Sequence, residues 1–115
     1  MKKILLSLSL AIFSLFVVSQ VDVRSSIKGY VNDGSGPVEG AEVVVVYMPT
    51  GSSDTAVTGA GGDFVFNNLA PGGPYTVTVS KAGYAEANAT GVFTKFSETS
   101  SVDVFLAAEF EEVVV

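Results

Sequence analysis

Apolar and polar residues alternate in short bursts along most of this chain, and turn-forming clusters interrupt them roughly every 8 to 12 residues. A period of two sends successive side chains to opposite faces of a strand, so the pattern predicts an all-β fold. The expected architecture is a sandwich of about seven antiparallel strands. No segment carries the 3.6-residue period of an amphipathic helix.

The first strand is expected over 26–32, with Ile27 and Val31 inward and Lys28 and Tyr30 outward. Asp33-Gly34-Ser35-Gly36-Pro37 then supplies turn chemistry. The strongest strand spans 41–48, and its unbroken Val43 to Val46 run predicts apolar neighbours on both faces and a central place in its sheet. A weaker strand at 54–58 leads to Gly59-Ala60-Gly61-Gly62, a turn that requires a positive φ. The strand at 63–67 puts Phe64 and Phe66 on one face, and Leu69 is expected as an apolar plug at one end of the core. Over 75–81, Tyr75, Val77 and Val79 should face in while Thr76, Thr78 and Ser80 face out. Segments 87–93 and 101–106 complete the set, the last with Val102, Val104 and Leu106 inward and Asp103 outward.

The two ends depart from this pattern. Met1-Lys2-Lys3 is positive, 4–18 is an apolar run with interspersed serines, and Val17-Val18-Ser19 ends it, which reads as a secretory signal peptide over 1–19, cut near Ser19-Gln20. The run is shorter than the ~20 residues a membrane-spanning helix needs. A short linker (20–26), the sandwich (27–106) and an extended tail (107–115) follow.

Composition narrows the chemistry. At 115 residues there is room for one domain of about a hundred. The chain has no His and no Cys, which removes the commonest general base and metal ligand, every thiol nucleophile and every disulfide. No catalytic residue, cofactor or metal is therefore expected, and a hydrolase is the weakest reading, because Ser and Asp without His leave no evident activated nucleophile. Two of the six basic residues, Lys2 and Lys3, lie in the leader, leaving four against twelve acids, a net charge of −8. Such a surface repels phosphates, so nucleic acid is not an expected partner.

Several spaced motifs carry a resemblance. Ile27-Lys28-Gly29-Tyr30-Val31 is followed by Gly36-Pro37-Val38-Glu39-Gly40-Ala41-Glu42-Val43, by Gly62-Asp63-Phe64-Val65-Phe66 with Leu69-Ala70-Pro71-Gly72, and by Tyr75-Thr76-Val77 and Lys81-Ala82-Gly83-Tyr84. In that order they resemble the carboxypeptidase regulatory-like domain, which implies a transthyretin-like (prealbumin-like) sandwich over 27–106. Gly40-Ala41 would turn the chain into the central strand, and Pro71-Gly72 would close a hairpin before Tyr75. The sequence departs from the family where Thr58-Gly59-Ala60-Gly61-Gly62-Asp63-Phe64 replaces an acidic loop with glycines, so no cation is expected there.

A leader, this module, and then Glu111-Glu112-Val113-Val114-Val115 together resemble the start of an Oar-type TonB-dependent outer-membrane receptor. The resemblance implies a plug and barrel downstream and makes Glu111, Glu112, Val113, Val114 and Val115 a TonB box, an unpaired extended segment that adds to the edge of a TonB-type protein's sheet. No barrel-forming segments remain in this chain once the sandwich is built. Two alternatives stay open: a frayed strand or linker at the tail, and a free-standing exported module that binds glycan or protein. Tyr30, Tyr47, Tyr75 and Tyr84 could in principle form a ligand platform, although alternation assigns most of them to packing. Lys28, Glu42 and Asp103 fall on the polar side of their strands, which argues against a buried crosslink among them.

Overall fold

The valine run at 43–46 sets the frame of the larger of two sheets. In the computed structural model, which describes residues 24–109, seven strands form: β1 (Ser25–Asn32), β2 (Glu42–Tyr47), β3 (Ser52–Val57), β4 (Asp63–Leu69), β5 (Gly72–Ser80), β6 (Ala87–Thr94) and β7 (Thr99–Phe105). The larger sheet has the order β3-β2-β5-β6 and the smaller β4-β1-β7. β2 is central, as its sequence predicts. Val43 and Val45 lie inward opposite Val79 and Val77 of β5, all four at most 2% exposed. Each such burial is worth roughly 1.5–3 kcal/mol. Phe64 and Phe66 of β4 cover them from the facing sheet, with Ile27, Val31, Val104 and Leu106.

Strand identity and inward faces match the sequence pattern, but two connections differ from it. Every pair is antiparallel except β1 with β7, which run parallel from Ser26↔Thr99 to Asn32↔Phe105. Pro71-Gly72 closes no hairpin, because β4 and β5 belong to different sheets and the chain passes between them through Ala70 and Pro71 alone. The hydrophobic pattern tells which face is buried and is silent on which sheet a strand joins. β1 also starts at Ser25, inside the stretch expected as linker.

Hydroxyls hold that abrupt corner. Ser25 Oγ lies 2.8 Å from Thr94 Oγ1 and 3.2 Å from the Leu69 carbonyl, while Thr94 Oγ1 accepts from Gly72 N at 3.2 Å and reaches the Ala70 carbonyl at 3.3 Å. Tyr75 donates its hydroxyl to the same Ala70 carbonyl. Ser25 and Thr94 are both buried, so these bonds satisfy carbonyls that a chain switching sheets withdraws from its ladder. Along one side the sandwich is closed by β6 and β7, where Ser100 Oγ donates to the Phe93 carbonyl at 3.0 Å. On the other side, between β3 and the β4–β5 corner, the sheets part.

Candidate functional site

That parting leaves a cavity of about 190 Å³. Its walls include Arg24, Tyr47, Ser52, Asp54, Asn68 and Tyr75. Strand register explains who faces it. Asp54 pairs with inward-facing Val45 and Ser52 with Tyr47, so both point to the inner side of β3, the edge strand of its sheet among the described residues. Tyr47 in turn pairs with Tyr75, and their rings stack obliquely with centroids 4.9 Å apart. Tyr75 is 2% exposed, and burial first, then the neighbouring Tyr47, raises its hydroxyl above the ordinary 10.0. It stays a neutral donor locked onto the Ala70 carbonyl.

Asn68 stands at the mouth with φ of 59°, the left-handed region, which Asn enters more readily than other non-glycine residues. It marks the register shift within β4, between the pairs Ile27↔Phe66 and Ser25↔Leu69, and Asn68 lines the cavity there. Sequence alternation gave none of this. Arg24 fell in an expected linker, Asp54 began a weak strand, and Asn68 lay just past the strand expected at 63–67. Their convergence depends on β3 being an edge strand and β4 crossing to the other sheet.

The opposite end of the module is where the chain leaves. Asp33 accepts from Ser35 N and Gly36 N at 2.9 and 3.1 Å and from the Tyr84 hydroxyl at 2.8 Å, joining the β1–β2 loop to the β5–β6 turn. The Tyr84 bond, then the Ser35 amide, hold Asp33 below its usual 3.8, and the same Asp33 bond raises Tyr84 above 10.0. Beyond β7 the chain pairs with this turn: Tyr84 bridges Ala108, Ala85 N donates to the Ala107 carbonyl at 2.9 Å, and Glu109 N donates to the Gly83 carbonyl at 3.0 Å. Glu111, Glu112, Val113, Val114 and Val115 lie outside the described residues, as does the expected signal peptide.

The four tyrosines do not form a platform. Tyr75 is in the core, Tyr47 lines the cavity, Tyr84 is tied to Asp33, and Tyr30 alone stands out, 54% exposed on the outer face of the smaller sheet between Asp63 and Asp103. Lys28, Glu42 and Asp103 are exposed on their strands, which agrees with solvated charges and not a crosslink. Among the described residues, no group of three or more His, Cys, Asp or Glu converges to hold a metal ion.

Comparison with known proteins gives a consistent picture of the fold. The sequence matches the carboxypeptidase regulatory-like domain over residues 26–107. No curated protein matches it. The backbone is similar to catechol 1,2-dioxygenase from Pseudomonas arvilla C-1, with a TM-score of 0.63 at 12% identity over 84% of this chain and 56% of that one. It is also similar to a candidate carbohydrate binding protein from Bacteroides uniformis (TM-score 0.57, 17% identity, 76% of this chain and 42% of that one). The shaft pilin SpaA from Lactobacillus rhamnosus GG gives the same TM-score of 0.57 at 15% identity, over 76% of this chain and 48% of that one. At these identities the likeness is one of fold alone, and this chain spans little more than half, or less, of each of those structures.

Proposed function

Because the chain belongs to the carboxypeptidase regulatory-like domain family, we propose that it serves as an exported, non-enzymatic accessory domain of a TonB-dependent outer-membrane receptor. In this reading it sits on the periplasmic face of the outer membrane, positions a plug and barrel that follow it, and offers Glu111 to Val115 to a TonB-type energy-transducing protein. The observation that supports it is the way the module finishes. Leu106 is fully buried, and the chain is then pinned to the Gly83–Ala85 turn through Glu109, so the fold is complete two residues before the acid-valine run begins. In this reading the segment just past the finished fold lends its backbone donors and acceptors to strand addition, with alternate valine side chains giving specificity.

The test is binding of the full chain to the periplasmic domain of a TonB-type protein, with and without residues 111–115. Deletion should abolish binding while leaving the thermal midpoint unchanged, and Val114→Pro, which removes one ladder donor, should weaken it. Equal binding by the deleted chain would sink the proposal.

A second reading, a free-standing binding or adhesion module, draws support from Tyr30, an exposed ring between two carboxylates on the outer face of the smaller sheet. Binding on a glycan array that disappears with Tyr30→Ala would favour it over the receptor reading.

A further inference from the structure

We propose that the cavity between β3 and the β4–β5 corner is a binding site for one neutral sugar ring, a pyranose held by Arg24, Asp54 and Asn68 beside the Tyr47 ring. The inference rests on neither the tail nor Tyr30.

Size limits the ligand first. At about 190 Å³ the cavity is smaller than the ~300 Å³ at which sites for larger organic ligands begin, a space that suits a single ring. Shape persistence comes next. The floor is built from the corner that Ser25, Thr94 and Tyr75 fasten, and from the Tyr47–Tyr75 pair, so the space is preformed and does not depend on a mobile loop.

The chemistry of the walls then selects among small molecules. A guanidinium only donates, a carboxylate only accepts, an amide does both, and the Ser52 hydroxyl does both. A few such groups at the edge of a mainly apolar lining of Val45, Tyr47, Leu69, Ala70 and Tyr75 suit a ligand whose hydroxyls each donate and accept around a ring with apolar faces. A free anion fits poorly, because Asp54 shares the cavity and the chain is strongly acidic overall.

The experiment is an amide-resolved NMR titration of the full chain with glucose, galactose, mannose and N-acetylglucosamine, and in parallel with alanine as a zwitterion and with acetate. At least one sugar should give saturable shifts confined to the neighbourhood of Arg24, Tyr47, Asp54 and Asn68. Asn68→Gly keeps the backbone conformation and removes the amide, and Asp54→Asn removes the acceptor charge. Each should weaken binding by about ten-fold or more with the fold intact, whereas Tyr30→Ala should leave it unchanged. The inference is overturned by the absence of saturable shifts with any sugar, by preferential binding of alanine or acetate, or by wild-type affinity in both cavity variants. It is equally overturned if binding maps to the outer face and is lost with Tyr30→Ala, a result that would support the adhesion reading instead.

Discussion

Thr58 supplies the sharpest test of how this fold is held. It sits just past β3, 3% exposed, and its hydroxyl makes two bonds: it accepts from Ala41 N at 2.9 Å and donates to the Val38 carbonyl at 2.7 Å. Main-chain bonds reinforce the same junction, Thr58 N to the Ala41 carbonyl and Gly40 N to the Thr58 carbonyl, each at 3.0 Å. Thr58 thus stitches the approach to β2 onto the exit of β3, and Ala41 is itself fully buried, with no water to replace a lost partner. Thr58→Val keeps the shape and removes the hydroxyl. The Ala41 amide is then an orphaned buried donor and the Val38 carbonyl loses a partner, at about 1–3 kcal/mol for each. The added methyl offsets roughly 0.8 kcal/mol.

The expected net loss is about 1–5 kcal/mol, a large part of the roughly 4–12 kcal/mol a domain of this size possesses. At about 4–8 °C per kcal/mol, the melting midpoint should fall by roughly 5–40 °C. Urea unfolding would give the free energy at unchanged m, and hydrogen exchange at the Ala41 amide would locate the loss. Thr58→Ser retains the hydroxyl and should cost only about 1 kcal/mol for its missing methyl. If Thr58→Val stays within about 0.5 kcal/mol of the parent, or Thr58→Ser is equally damaging, the hydroxyl is not what holds the junction.

Two further substitutions probe other parts of the molecule. A methyl group added at Gly29 would lie 1.7 Å from the Val102 carbonyl oxygen and 2.6 Å from Phe64 Cζ, so Gly29→Ala should cost about 3 kcal/mol or more, read by urea unfolding, with loss near zero refuting the tight β1–β7 approach. Tyr84→Phe removes the bond that lowers Asp33, so the Asp33 carboxyl, followed by NMR, should titrate closer to 3.8 than in the parent. In the parent, this lowered carboxyl contributes stability above 3.8 that is lost as pH falls through its folded value, while the raised Tyr84 contributes stability below 10.0 that is lost as pH rises through its own. Parent and Tyr84→Phe should therefore differ most near neutrality and converge at both extremes, and a difference independent of pH would contradict this.

What the sequence shows directly is the pleat. Ile27, Val31, Tyr75, Val77, Val79, Val104 and Leu106 all sit on the predicted inner faces, because period-two alternation is a local property. Long-range pairing is less legible. The hairpin expected at Pro71-Gly72 is a two-residue passage between sheets, and β1 pairs with β7 in parallel from the far end of the chain. The buried hydroxyls of Ser25, Thr58 and Thr94 are hidden for a related reason. Polar residues at strand ends read as turn or surface, and only the crossing of the chain creates the orphaned carbonyls and amides they satisfy. The cavity is illegible on the same grounds, since Arg24, Asp54 and Asn68 are separated in sequence and joined only by register. Gly29 carries no signal in the middle of the expected first strand, whereas its missing side chain is what lets the Phe64 ring and the Val102 carbonyl approach β1.

The parallel β1–β7 pair also decides how the two ends of the module relate. β1 begins beside the cavity at Ser25 and runs to Asn32, next to the Asp33–Tyr84 bond, and β7 runs the same way to Phe105. The chain therefore joins the module at the cavity end and departs at the Tyr84 end, separated by about seven residues of strand, or roughly 23 Å at ~3.3 Å per residue. Tension between the two ends also acts along β1 and β7 in opposite senses. It loads the pairs from Ser26↔Thr99 to Asn32↔Phe105 together, in shear, where an antiparallel terminal pair would open one rung at a time. A module of this topology, placed ahead of a segment that a partner pulls, resists that pull through its whole terminal ladder.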